Sequence, residues 1–273
     1  MIFRSLSKNL REHDWFIVFV EVFLLAAGLL AAFQVDRWWE QRAEREEERV
    51  YIQRLIGNIE ADIPNIKNLI EIQSLRLEYA DLLMHVAQHP ESATERPGEF
   101  LAAIVGTSYT NYPTLRSHTF EDLRSTGNMT VIRDPEVKTA LYDYYEFDHH
   151  QSNFRSLFLS NEFHHWTLAA GVLSPTQAQW LQDNRIFATP ANVPLLRETK
   201  QDTAEIMATA GRLVANQDLV NWLPQVREMQ TYLTFTLERQ VEQAEEVLEV
   251  LRYYAEDIGA NLNNFRSNTR LTF

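Results

Sequence analysis

The chain has no cysteine among its 273 residues. That removes disulfides, a thiolate nucleophile and every cysteine-based zinc site. It is compatible with an oxidising compartment without requiring one. Glycine and proline are scarce, at 8 and 9 residues, and no stretch is of low complexity. Little disorder is therefore expected away from the two ends. Cations are in deficit: 25 Lys and Arg face 38 Asp and Glu, a net charge of −13. The few basic residues are mostly arginines scattered among acids. Such a surface argues against nucleic-acid partners and against docking on anionic lipid. Catalytic signatures are also missing: no GxSxG, P-loop, GxGxxG or HExxH occurs. No segment alternates apolar and polar residues over five or more positions, and Met129–Ile132 is the one short β-like piece.

What is present is an apolar run from Trp15 to Val35 in which Glu21 is the single carboxylate. About 20 residues at about 1.5 Å rise match a hydrocarbon core of about 30 Å. A cleaved signal peptide is the rival reading, and the short basic start (Arg4, Lys8, Arg11) suits one. The run exceeds the usual apolar core of a signal peptide, and Leu30-Ala31-Ala32 places Leu where a small residue is wanted. Trp15 and Trp38-Trp39 bracket the run as interfacial aromatics do. A retained single-pass anchor is the expectation, with the lipid bilayer as its first partner. Lys and Arg nearly tie on the two sides of it. We take the N-terminus as cytoplasmic and the C-terminal domain as outside, which in a bacterial inner membrane means periplasmic. The expected divisions are a tail over residues 1–14, a span over 15–36 and a helical domain over 37–273.

At about 100° per residue, Asp14, Glu21, Gly28, Ala32 and Trp39 share one stripe. Gly28 and Ala32 form the small-xxx-small pair that lets two helix backbones approach. Glu21, costly in hydrocarbon, would then face another helix in a homo-oligomer or a membrane partner protein. The plainer alternative is a glutamate near enough to the headgroups to snorkel.

The helix leaving the membrane is expected to continue. Ile52, Ile56, Ile59, Ile63, Ile66 and Ile70 follow 4-3-4-3-4 spacing. Pro64 should kink or interrupt that helix, which resumes through Leu75, Leu82 and Val86. His89-Pro90 to Pro97-Gly98 reads as a loop. At the other end, Leu237, Val241, Ala244, Leu248, Leu251, Ala255, Ile258 and Leu262 repeat the pattern, in a helix expected to open at Trp222-Leu223-Pro224. The two heptad stripes suit an intramolecular antiparallel seam, with an intermolecular coiled coil as the alternative. Between them, Thr119–Asp122 resembles a capping box on a short helix ending at Gly127. Asp134-Pro135 opens a helix to about Ala170, Ser174-Pro175 opens another, and a third runs from about Leu195 to Asn216. The fold expected is all-α: one N-terminal transmembrane helix continuing into an elongated antiparallel helical bundle.

Candidate chemistry is sparse. His149-His150 follow Glu146 and Asp148, and His164-His165 follow Glu162, which are ligand types for zinc, iron or manganese. Neighbours on a helix point about 100° apart, and the two pairs would lie about 22 Å apart on one helix. Neither pair chelates alone, and packing among Phe147, Phe163 and Trp166 is the simpler role. No cofactor is expected. Tyr142, Tyr144 and Tyr145 would line a ligand cleft, or form bundle core and rim.

Two stretches, FVEVFLLAAGLLAAFQVDRWWEQRAE and TFEDLRSTGNMTVIRDPEVKTALYDYY, carry a family resemblance. Together they resemble an uncharacterised bacterial family of single-pass membrane proteins. Glu21, Gly28, Gln34, Trp38, Leu123, Ser125, Gly127, Ile132 and Tyr144-Tyr145 occupy that family's places, while Asp36 and Arg37 depart from its Asn-like residues. The resemblance implies topology and kinship, and no activity. The function expected is a non-enzymatic, membrane-anchored helical protein that self-associates or docks a partner, as a scaffold or a ligand-sensing ectodomain. Its rivals are an ion- or proton-conducting oligomer built on Glu21 and a metal-dependent enzyme using the histidine pairs.

Overall fold

The computed structural model describes residues 15–183 and 189–260, with side chains of 16–18 and 147–154 outside the description. The expected tail over 1–14 and Leu262 therefore lie outside the described residues. The architecture is all-helical, with no strand among the described residues. Helix α1 spans Trp15–Gln88, a rod of about 110 Å. A 3-10 turn, Pro90–Thr94, leads to α2, Pro97–Gly106. An extended segment reaches α3, His118–Ser125, and a 3-10 turn over Asn128–Val131 precedes α4, Pro135–Ala169. Then come α5 (Pro175–Asp183), a turn at Pro190–Asn192, α6 (Val193–Glu198), α7 (Thr203–Ala215) and α8 (Gln217–Asp257).

Helices α1 and α8 run antiparallel. Arg49 Nε donates to the Ile258 carbonyl at 2.6 Å, Arg252 reaches Glu60, Lys67 reaches Glu245 and Arg227 reaches Asp81. Partner numbers on α8 fall as those on α1 rise. Both heptad stripes meet inside this seam: Ile52, Ile59, Ile66, Ala244, Leu251 and Ala255 are fully buried. Helix α4 packs along α8, with Phe158 against Met229 and Leu233.

Pro64 does not interrupt α1. It lies on the exposed face, so the Glu60 carbonyl left without its amide turns to water, and Asn65 Nδ2 donates to the adjacent Ala61 carbonyl at 3.3 Å. Pro224 is likewise exposed inside α8, which begins earlier than expected because Asn216 caps it through the Leu219 amide. The segment expected as one helix to Asn216 is two. Asp202 breaks it by capping α7, accepting from Ala204 and Glu205. Thr119 is not an N-cap: it lies inside α3, and its hydroxyl accepts from Asn58 Nδ2 at 2.8 Å. Met129–Val131 forms a 3-10 turn, not a strand, following Gly127 at φ 76°. The expected loop after His89 is largely helical. Asp134 caps α4 as expected, accepting from Glu136 and Val137.

Two apolar cores result. The basal core joins α1, α3, α4 and α8 around Leu55, Phe120, Leu141 and Leu248. The head core gathers α2, α5, α6 and α7 over the far end of α1, around Tyr79, Phe100, Ile206 and Leu213. Gly98 permits the closest approach there, because a Cβ at that position would meet the Leu196 carbonyl. Below both cores, α1 from Phe19 stands alone, apolar and long enough to cross a membrane, with none of its apolar window buried. Among the described residues, none before Glu48 is buried.

Candidate functional site

The stripe through Glu21, Gly28, Ala32 and Trp39 lies on this lone portion of α1. Gly28 has open space where a Cβ would stand, Trp39 is exposed, and Glu21 is half-buried by its own helix. At about 100° per residue, Gly28 lies about 180° from the fully buried Leu55. The same count places Glu46, Pro64 and Glu71, all exposed, within about 20° of the Gly28 line. The stripe thus continues upward as the solvent face of the rod, away from the bundle. Where α1 leaves its apolar portion, Trp38 and Trp39 meet edge-on at 5.0 Å, and the Arg42 guanidinium lies 5.6 Å from the Trp38 ring centre.

The tyrosines belong mainly to the basal core. Tyr145 stacks on Phe120 at 4.5 Å, Tyr144 meets Tyr145 edge-on, and Tyr142 packs edge-on against Phe120. Tyr144 donates to Asp62 Oδ2 and Tyr145 to the Arg116 carbonyl, while both Asp62 oxygens accept the Arg116 amide at 3.2 Å. Burial, then the Asp62 charge, raise the Tyr145 phenol. Tyr144 also borders a surface cleft of about 540 Å3 between α4 and α8, rimmed by Glu136, Asp143, Glu146 and Glu246. Tyr142 and Tyr145 do not line it.

Both histidine pairs fall on α4. The side chains of His149 and His150 lie outside the description. His164 sits edge-on to Trp222 at 4.6 Å, and the buried His165 places Nε2 2.9 Å from the Ile104 carbonyl. That contact requires the proton on Nε2. Burial lowers the His165 pKa, partly opposed by this hydrogen bond. Glu162, the expected carboxylate neighbour, accepts instead from the Thr110 amide and hydroxyl, both at 3.1 Å. Among the described residues no group of three side chains is placed to hold a metal ion.

The tertiary structure assembles two further places. The first is a buried polar layer between the cores. Arg76, 4 % exposed, donates to the Tyr109 carbonyl at 2.8 Å, and its carbonyl accepts from the Thr107 hydroxyl. Gln230 Nε2 donates to the Thr107 and Tyr109 carbonyls. Burial lowers the Arg76 guanidinium to about 10 and raises the Glu162 carboxyl. Together these groups pin the extended segment after α2. Beside it, Val105, Tyr109, Trp166, Leu173 and Ala178 edge an apolar cleft of about 320 Å3.

The second is a cleft of about 380 Å3 at the base of the bundle, lined by Arg45, Glu48, Arg49, Arg133, Tyr254 and Asp257, together with Ile258 and Gly259. The Glu48 side chain is 2 % exposed and accepts at 2.7 Å from both the Arg133 amide and the Tyr254 hydroxyl. Burial, then the Glu48 hydrogen bond, raise the Tyr254 phenol. Arg49 spends Nε on Ile258 and Nη1 on Glu46, and Arg133 Nη2 reaches Glu44 at 2.8 Å. Among the described residues, Arg45 and Asp257 have no hydrogen-bond or ion-pair partner, so one free cation and one free carboxylate line the same cleft. Sequence reading missed both places because their members are far apart in the chain; the i, i+3 and i+4 spacing of Arg45, Glu48 and Arg49 was the available signal. No family model, no curated protein and no solved structure matches this chain significantly.

Proposed function

We propose that this chain is a non-enzymatic, single-pass protein of a bacterial inner membrane, anchored by residues 15–36, with a periplasmic helical domain held on a stiff stalk. Copies associate through the Glu21, Gly28, Ala32 and Trp39 stripe, and the bundle displays a docking or ligand-sensing head away from the membrane. The observation that carries this reading is the continuity of α1: the same helix that forms the bundle core extends downward as a bare apolar rod. An apolar helix of that length with nothing packed on it is suited to a lipid surrounding, which supports the anchor. The azimuth of the stripe supports self-association, since two rods meeting there would carry their bundles on opposite sides. Above the membrane that face bears Glu46, paired with Arg49, together with Pro64 and Glu71, so it is polar where the span is apolar. The resemblance noted in the sequence supports the same topology.

The test is the mass of the full chain in a mild detergent, after separation of soluble and membrane fractions. The expected result is membrane recovery and an oligomer that Gly28→Leu dissociates. A strict monomer in both variants would end the self-association reading, and recovery of a shortened soluble chain would replace the anchor with a cleaved signal. A periplasmic reporter fused after Ala260 checks orientation.

A further inference from the structure

We propose that His85 and His89 bind one divalent ion of the late first-row transition metals at the head end of α1, copper(II) most tightly and zinc(II) less so. The sequence sets them four residues apart, as His85-Val86-Ala87-Gln88-His89. That spacing brings two side chains onto one helix face, and paired helical histidines hold zinc at the same spacing. The adjacent pairs on α4 differ, because their members diverge by about 100°. The ring centres of His85 and His89 lie 5.0 Å apart. A metal–nitrogen bond of about 2.0–2.1 Å puts an imidazole centre about 3.2 Å from the ion. Two such rings on one tetrahedral ion then have centres about 5.2 Å apart, and at a right angle about 4.5 Å. The observed spacing falls between these values.

The backbone under the two rings is fixed. The His89 amide donates to the His85 carbonyl at 2.8 Å, and the His89 carbonyl accepts from the Ser92 amide at 3.0 Å and the Ser92 hydroxyl at 2.7 Å. Leu82, Leu83 and Val86 bury the opposite face of the same turns. Both imidazoles are exposed, so their nitrogens can turn toward an ion without disturbing that core. Neither ring makes a side-chain hydrogen bond among the described residues. Glu91 Oε1 stands 3.9 Å from His89 Nδ1. A carboxylate on that side favours the proton on Nδ1 and leaves the Nε2 lone pair for the metal. Asp81, one turn below His85, is held by Arg227 Nε at 2.6 Å and is not counted as a ligand. The site also lies at the C-terminal end of α1, where the helix dipole favours a cation. Two imidazoles suit copper, nickel and zinc, and divalent affinities peak at copper. An ion held by two protein ligands keeps open positions for water or for a donor from outside the chain. None of this depends on the anchored reading.

The experiment uses the full chain, free of any purification tag and treated with chelator, in an uncharged maltoside detergent. Copper(II) and then zinc(II) are titrated by calorimetry. One copper equivalent per chain is expected, with zinc binding more weakly at the same place. His85→Ala and His89→Ala should each weaken that equivalent by about tenfold or more, since a lone imidazole replaces a chelating pair. His164→Ala, His149→Ala and His150→Ala should leave it in place. Both target side chains are exposed, so the metal-free unfolding midpoint of either variant should match wild type. Copper should raise the midpoint of wild type and not of the two variants, because an ion that binds only the folded chain stabilises it. The electron paramagnetic resonance of the wild-type copper complex should show two imidazole nitrogens. No binding, an equivalent retained by His85→Ala or His89→Ala, or one lost instead in a variant of the α4 histidines would overturn the proposal. These readouts are independent of membrane fractionation, so the anchor and the metal site fail separately.

Discussion

One helix, α1, lives in two surroundings. From Ile52 upward its apolar residues recur every three to four positions and are covered by α8. From Phe19 to Trp39 its apolar residues cover the whole circumference and nothing covers them. The backbone ladder runs through both portions, short of one bond at Pro64. Hydrogen bonding does not distinguish them; side-chain burial does. The upper portion is stabilised by protein contacts, the lower portion by whatever surrounds it, and an all-round apolar helix has lipid as its natural solvent. Stability of the bundle and retention in a membrane should therefore respond to different residues.

The largest separation should come from core truncation. Ile59→Ala removes a fully buried side chain and should cost about 2–5 kcal/mol of bundle stability in denaturant titration, with membrane recovery unchanged. Leu25→Ala, exposed on the lower portion, should leave the unfolding midpoint in place. Next in size, Leu25→Arg should disfavour insertion by about 2.5–3.5 kcal/mol and move chain into the soluble or aggregated fraction; Glu71→Arg, on the exposed face of the upper portion, should change neither readout. If Leu25→Arg is retained as well as wild type, the contrast between the two portions fails.

A smaller effect concerns pH within the upper portion. His165 has a lowered pKa in the folded state, so its contribution is present above its ordinary value near 6.5 and is lost as pH falls through the lower folded value. Glu162 has a raised folded pKa, so its contribution is present below its ordinary value of 4.5 and is lost as pH rises through the higher folded value. Below neutrality the two oppose each other. His165→Gln should therefore leave a bundle that gains stability on acidification relative to wild type, at most about 1.4 kcal/mol per pH unit, read from urea midpoints between pH 7 and 5. A parallel decline in both proteins would refute the assignment. The smallest effect is expected at Lys67–Glu245, both partners more than half exposed: Glu245→Gln should shift stability by less than about 1 kcal/mol.

Legibility followed the range of the interactions. The isoleucine stripe, the α8 stripe and the Asp134-Pro135 start were readable because each is set by spacing or by neighbours a few residues away. Pro64 and Pro224 misled because their penalty depends on whether the freed carbonyl meets water, and both stand on exposed faces. Thr119 misled because its hydroxyl is taken by Asn58, sixty-one residues earlier. The break before Thr203 is a local signal, since Asp202 caps the amides of Ala204 and Glu205. The polar layer and the basal cleft were not readable: Arg76, Glu162 and Gln230 acquire a common surrounding only once α1, α4 and α8 are side by side.

The sequence alone determined an all-helical chain with an N-terminal helix long and apolar enough to cross a membrane, because hydrophobic period and run length act within a few turns. It also set the stripe of Glu21, Gly28, Ala32 and Trp39, since one helix carries all four. Only the tertiary structure decided that this stripe points away from the bundle, that Tyr144 and Tyr145 are core residues, and that Arg45 and Asp257 share a cleft. Those outcomes depend on which face α8 covers and where its C-terminus comes to rest, and packing between distant segments is what places them.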